Sequence, residues 1–325
     1  MTAPQDRQGD HPSILLRLVL LGRMGGLPDS SVRNDEWLYI LQEETRQSLS
    51  IEGYFATEQE LKAVLAGRKT FPEIFNYFRA AQGLYDLGLQ QYREDELSVT
   101  VSLLRHIHSE LFRDLDARRG EFRRGGILIN QAKVTPPAQD LDEYVRAFVK
   151  AIPTLISRSP LLGALARIHV LFESIHPFHD GNGRAGRILL NHLAVSLGLP
   201  PIIIKGMQQT DRERYYAALE AGDAGFHEHF PPPKAGDLLL ALKLGDFGPM
   251  EALLMEGMLP QLDALIAAAV DARQPPLLTL RELAPQFGVQ EATLRQWVTR
   301  GKLIAVKRGG RLMSHPELLV DNREL

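Results

Sequence analysis

Over residues 14–89 apolar positions recur at spacings of three and four with few turn signals, the period of an amphipathic helix rather than a strand. One break divides the run: Gly67 closes one helix, and Thr70 with Pro72 opens the next. A second helical run covers 98–115 and ends in the loop 116–120. The pattern then changes. In GEFRRGGILINQAKVTPP the β-favouring triplet Ile127-Leu128-Ile129 precedes Lys133-Val134-Thr135 and a double proline, which predicts a short hairpin. Helical spacing returns over 141–156, and Ser159-Pro160 supplies an N-cap and first-turn proline for a helix reaching about Ser174. Residues 187–197 carry a broad apolar face (Ile188, Leu189, Leu190, Leu193, Ala194, Leu197) that Gly198 and Pro200 stop. A helix over 211–221 leads to Pro231-Pro232-Pro233, an expected domain edge; helical segments reach Ala272, and Arg273-Gln274-Pro275-Pro276 reads as a linker. The pattern predicts an all-α fold with one small β-hairpin and a small C-terminal unit.

Composition narrows the class. The 325 residues are 44% hydrophobic and 24% charged, enough to bury a substantial core in two or three domains. A net charge of −3 argues against a general nucleic-acid coat but leaves room for one basic module. There is no cysteine, so disulfides and cysteine-held zinc are excluded. No apolar run is expected to reach transmembrane length, and the polar start MTAPQDRQGDHPS lacks the order of a signal peptide, so a cytoplasmic location and no membrane partner are expected.

The chemistry concentrates in HPFHDGNGRAGR, residues 176–187, between two helices. Gly181, Gly183 and Gly186 have the spacing of a dinucleotide fingerprint, but a helix precedes them and the next acidic residue is Asp211. A calcium loop fails because its later ligand slots hold Arg184 and Asn191. No P-loop lysine follows the glycines. An anion site remains. Glycines entering a helix let backbone N–H groups approach a phosphate. Arg184 and Arg187, three apart, share a face at a helix start where cations oppose the dipole, so stability alone would not select them. Asp180 offers hard oxygens for Mg²⁺, and His176 is suited to accept a proton. These groups together indicate nucleotidyl or phosphoryl transfer.

The stretch resembles the Fic motif, HxFx(D/E)GNGRxxR, at every fixed position. The resemblance implies a protein adenylyltransferase that moves AMP from Mg·ATP to a Ser, Thr or Tyr hydroxyl of a protein, itself included. It implies that His176 is the general base, Phe178 anchors the loop, and Asp180 holds Mg²⁺. Gly181, Asn182 and Gly183 form the nest, with Ala185 and Gly186 completing the nucleotide-binding turn. Arg184 and Arg187 hold the inner and γ-phosphates. GNGR distinguishes this pattern from the phosphotransferase branch, where lysine replaces the second glycine. GEFRRGGILIN resembles the family's flap, so Ile127, Leu128, Ile129 and Asn130 would line the site and a target could add a strand there. DRERYYAALEAGD resembles the segment that lines the adenine pocket, with Tyr216 and Asp223 as contacts, although relatives often carry asparagine at the latter position. Ser48, Glu52 and Gly53 resemble the inhibitory motif (S/T)xxxE(G/N), in which the glutamate competes with phosphate for the second arginine, here Arg187. A homodimer is a further expectation from this class.

LTLRELAPQFGVQEATLRQWVTRGKLIAVKRGG resembles the winged helix-turn-helix of excisionase and MerR-type regulators. Helices are expected over 280–287 and 290–300, with a wing over 304–313. Arg295, Arg300, Lys302, Lys307, Arg308 and Arg311 give it a basic surface for DNA, with protein docking the alternative. The chain thus divides into a disordered tail (1–13), a helical region (14–97) with the inhibitory helix near 44–56, a Fic catalytic domain (98–235), a connector (236–274) and the winged module (275–325). A lone histidine ending a buried helix is usually structural, and only the surrounding motif makes His176 catalytic. His179 reads as a bystander, Asn191 and His192 as solvating the motif helix, one of Tyr215 and Tyr216 as core, and Trp297 as core of the tail. Two rival functions stand beside the transferase: a nucleotide-sensing transcriptional regulator acting through the tail, and an enzyme that removes AMP from a modified protein at the same site.

Overall fold

The computed structural model describes residues 10–28, 35–68, 71–129, 132–272 and 276–320. The run read as helical at 14–89 contains four helices: α1 (Pro12–Arg23), α2 (Asp35–Ile51), α3 (Glu58–Leu65) and α4 (Pro72–Glu94). Gly67 follows α3 at φ +66°, a left-handed turn that suits glycine. Pro72 opens α4, while Thr70 lies outside the described residues. His11 caps α1 and Asp10 accepts the Leu161 amide, so residues 10–13, expected to be disordered, belong to the fold.

Seven further helices follow: α5 (Val101–Leu111), α6 (Leu141–Arg158), α7 (Leu161–Ile175), α8 (Asn182–Ser196), α9 (Gln209–Gly222), α10 (Ala235–Leu242) and α11 (Gly248–Asp271). Ser159 closes α6 by donating its amide to Leu155, and Pro160 takes the N-cap of α7, one position later than expected. Helices α7 and α8 are buried on nearly all faces, as suits a pair at the centre of a helical layer. Helix α4 lies along α8 because Gly88 admits the close approach: a Cβ there would stand 2.9 Å from the His192 carbonyl oxygen. Helices α6 and α8 flank α7, and α2 closes over α4 and α8. By length and composition α11 could cross a membrane, a feature the sequence pattern did not bring out; here it packs against α1, α2, α7 and α9.

The expected hairpin at 127–135 is not formed as a ladder. Among the described residues of 121–140 there is no strand, and Leu128 is 86% exposed. Gly125-Gly126 and Pro136-Pro137 flank the segment, and an isolated ribbon has no sheet to complete it. The chain contains its strands elsewhere. In the C-terminal module β1 (Leu278–Thr279), β2 (Val306–Arg308) and β3 (Arg311–Ser314) form an antiparallel sheet in the order β1-β3-β2, with α12 (Leu280–Leu283) packed on it and α13 (Glu291–Thr299) packed on α12. Gly309 and Gly310 turn the β2–β3 hairpin with positive φ at both, as a two-residue loop requires. Trp297 meets Phe287 edge-on at 5.7 Å, which makes it a packing residue.

Candidate active site

The loop between α7 and α8 is built around an unusual backbone. His176 ends α7 in the left-handed conformation, φ +51°, with its amide bonded to the Phe172 carbonyl oxygen at 3.0 Å. Such a turn is costly for a non-glycine residue and needs support. Arg123 supplies it from the base of the flap segment. Its guanidinium donates to the carbonyl oxygens of His176 (2.8 Å), Pro137 (2.8 Å) and Ile175 (3.3 Å), meeting the last carbonyls of α7 with a cation. Phe178 is fully buried and stacks on His108 at 4.0 Å. Asn182 then closes the loop: its Oδ1 accepts the Phe178 amide and its Nδ2 donates to the Phe178 carbonyl, both at 2.8 Å. Gly181 enters α8 at φ +72°, where a Cβ would collide with Phe112.

The two arginines differ in their surroundings. Arg184 Nη2 donates to Asp180 Oδ2 at 3.2 Å, and its guanidinium lies over Phe112 at 4.9 Å. Arg187, 2% exposed, is held by α2: Nε donates to Ser48 Oγ (2.7 Å), and Nη2 donates to the Ser48 carbonyl (3.1 Å) and to Glu52 Oε1 (2.8 Å). Glu52 lies directly over Gly183, so its carboxylate sits at the N-terminus of α8, where an anion would sit. Gly53 ends α2 with φ +83°.

His176, Asp180, Arg187 and Glu52 face one cleft of about 990 Å³, whereas Arg184 is not in its lining. Its lining includes Glu52, His176, Asp180, Gly181, Asn182, Gly183 and Arg187. Leu128 and Ile129 form a rim, whereas Ile127 is not in the lining and Asn130 lies outside the described residues. Tyr216, Asp223 and His227 also line it. Tyr215 is buried and Tyr216 half-exposed, the division expected of neighbours on one helix. The Tyr216 hydroxyl donates to the Ile51 carbonyl of α2 at 3.3 Å. Asp223 is buried at the end of α9 and bonded to His227. Lys133 and Glu220 pair at 2.6 Å, joining the flap segment to α9. His179 is exposed at the mouth.

Burial sets the protonation states. Burial pushes His176 down to about 4, so its imidazole is neutral near pH 7. Its Nδ1 stands 3.2 Å from the Glu173 carbonyl oxygen; a hydrogen on Nδ1 satisfies that contact and leaves Nε2 as acceptor. Burial raises Glu173 to about 8 and Asp223 to about 6. Asp180 remains mostly exposed. The Asp180 carboxylate beside an anion nest suits Mg²⁺, which takes one or two carboxylates and completes its shell with phosphates and water. Among the described residues no group of three or more acidic or histidine side chains could hold a metal alone.

Three supporting residues had no role assigned from the sequence. His108 accepts the Gly120 amide at Nδ1 (2.9 Å) and so offers Nε2–H to the Asp180 carbonyl at 3.2 Å, bracing the loop through its stack on Phe178. Arg123 had only the general signal of a cation available to a helix C-terminus. Glu173 lay three residues before His176 without distinction. Asn191 and His192 prove buried rather than solvating: Asn191 pairs with the backbone of Ile202, and His192 with the Leu84 carbonyl. In the tail all six basic residues are exposed, but Arg295 is paired with Glu291, and Arg308 with Asp271 and, at 3.8 Å, with Glu36. That pairing turns the Arg308 charge toward α11 and α2.

Comparison with known proteins agrees with this geometry. The Fic/DOC family model matches residues 98–194. A probable protein adenylyltransferase of Aquifex aeolicus is 32% identical over 190 residues, covering 58% of this chain and 56% of the relative. A protein adenylyltransferase Fic of Drosophila willistoni is 33% identical over 133 residues, 40% of this chain and 26% of the relative. The chain therefore spans about half or less of the curated relatives it matches. Among solved structures, a Fic domain containing signaling protein from Bacteroides thetaiotaomicron superposes with TM-score 0.64 at 19% identity, covering 80% of this chain and 97% of that one. Fic-1 of C. elegans gives TM-score 0.59 at 18% identity, covering 80% and 73%. With the motif loop, its arginines and the helical layer that carries them all accounted for, residues 98–194 of this chain are a Fic/DOC domain.

Proposed function

We propose that the chain is a protein adenylyltransferase that moves AMP from Mg·ATP to a protein hydroxyl and is restrained by Glu52. The observation that carries this reading is the convergence of a neutral histidine, a glycine-lined helix N-terminus and the buried Arg187 on one cleft, with Arg184 buried beside it and bonded to Asp180. The names of the relatives support it. ATP would lie with its phosphates on Gly181–Gly183 and its nucleoside toward Tyr216 and Asp223. The target hydroxyl oxygen attacks the α-phosphorus as the bond to the bridging oxygen breaks, and pyrophosphate leaves. His176 Nε2 takes the hydroxyl proton. Arg184 and Arg187 and the backbone amides stabilise the charge on the phosphates. Asp180 would hold Mg²⁺, which when bound supplies further neutralisation of that charge.

Glu52 occupies Arg187 and overlies the nest, so in this state the γ-phosphate has a competitor for both. The test uses Mg²⁺ and ATP labelled at the α-phosphate with wild type, Glu52→Gly and Glu52→Gly/His176→Ala. Label on protein in the single mutant alone supports transfer, restraint and base together. Absence of label from every form, with ATP bound, would replace this reading by nucleotide sensing or AMP removal.

A further inference from the structure

Arg187 has a second acidic neighbour that this mechanism leaves unused. Glu173, in the last turn of α7, is 8% exposed, and it lines the same cleft. Its Oε1 is buried without a hydrogen-bond partner among the described residues, and so is Arg187 Nη1. The carboxyl presses on α8 at Gly186, where no Cβ would fit. Gly183, under Glu52, lies three residues earlier, on the same face of that helix. Two carboxyls, Glu52 just past α2 and Glu173 of α7, therefore cover the glycine face of α8, and the first is bonded to Arg187.

We propose that Glu173 is a positioning residue for Arg187: it holds the guanidinium as a carboxylate when nothing else does, and it withdraws as the neutral acid when Glu52 or a phosphate takes its place. The proposal rests on the reading that a phosphate group meets Arg187. Its physical basis is that two anions beside one buried cation repel, and the less solvated one keeps its proton. Glu52 is partly exposed and already bonded to Arg187, so Glu173 is the one that stays protonated. The groups facing Glu173 are Arg187 from α8, Glu52 from the end of α2, and Tyr215 and Tyr216 from α9. Arg187 favours its ionised form and Glu52 opposes it, while burial opposes it most. Loss of Glu52 removes one opposing charge and frees Arg187. Arrival of the phosphates restores a negative charge, so Glu173 must then take up a proton from solvent.

The consequence is a proton linked to nucleotide binding. Where Glu173 is ionised in the free protein and protonated in the complex, affinity falls as pH rises, by at most about tenfold per pH unit. The experiment measures the affinity for Mg·ATP between pH 6.5 and 9 in Glu52→Gly/His176→Ala, in which turnover is blocked, and in the same protein with Glu173→Gln. The expected result is a falling affinity in the first and a flat one, relative to it, in the second. Equal slopes in the two, or no slope in the first, would overturn the proposal. Infrared difference spectra of wild type against Glu52→Gly give an independent reading without the glutamine variant: the proposal requires one buried protonated carboxyl to be lost, and unchanged spectra contradict it. Because the readouts are binding and protonation, an absence of AMP transfer leaves this test intact, whereas failure of ATP to bind would sink the functional reading itself.

Discussion

His176 and Phe178 show how one side chain can be useful because another is buried two positions away. Phe178 lies between His108 and Phe122, and it fixes the loop that puts His176 on the cleft. Phe178→Ala should cost about 3–5 kcal/mol, as large core truncations do, and would be read as a lowered midpoint in urea unfolding. A loss below 1 kcal/mol would mean that the loop is held by Asn182 and Arg123 without it. Asn182 was legible in the motif only as part of a nest. Its actual bonds, both to the backbone of Phe178, follow from a turn geometry that no residue count reveals. The same is true of His108, whose tautomer is set by the Gly120 amide, distant in sequence from the motif.

Helix α2 and the residue after it are tied to Arg187 by few bonds, and each has a definite donor. Ser48 accepts Arg187 twice, through Oγ and through its carbonyl, while Glu52 accepts it once. Ser48→Ala removes only the Oγ acceptor, so auto-modification should rise above wild type yet stay below Glu52→Gly. Rates from the labelled-ATP assay check this, and a Ser48→Ala protein as inactive as wild type would assign the restraint to Glu52 alone. Helices of this kind were readable from spacing, because their apolar faces repeat at three and four whatever their partners. The flap was not. Its β-favouring triplet promised a hairpin, but pairing depends on a second strand, and Pro136, Pro137 and the adjacent glycines leave Leu128 facing solvent instead. Strand propensity describes a surface that fits a sheet, and here no sheet is present to receive it.

Across the whole molecule, buried titratable groups pull stability in opposite directions. His108, His169 and His176 are driven by burial to about 4, 3 and 4, well below 6.5. Their contribution is complete above pH 6.5 and is lost as pH falls toward 4, where the unfolded chain binds protons that the fold refuses. Glu44 and Glu173 are raised by burial to about 7 and 8. Their contribution is complete below 4.5 and is lost as pH rises toward 8. Thermal midpoints should therefore decline on both sides of a broad maximum, and Glu173→Gln should soften the alkaline decline; an unchanged alkaline limb would show that Glu173 does not titrate there. The C-terminal module joins this body through Arg308, which reaches Asp271 of α11 and Glu36 of α2. The sequence offered that arginine as part of a basic surface, since composition records a charge but not the acid that faces it. The most direct measurement is the intact mass of Glu52→Gly after incubation with Mg·ATP, beside Glu52→Gly/His176→Ala. The account predicts a gain of one or more AMP groups in the first and none in the second. An equal gain in both would remove His176 as the base, and no gain in either, with ATP bound, would contradict adenylyl transfer by this site.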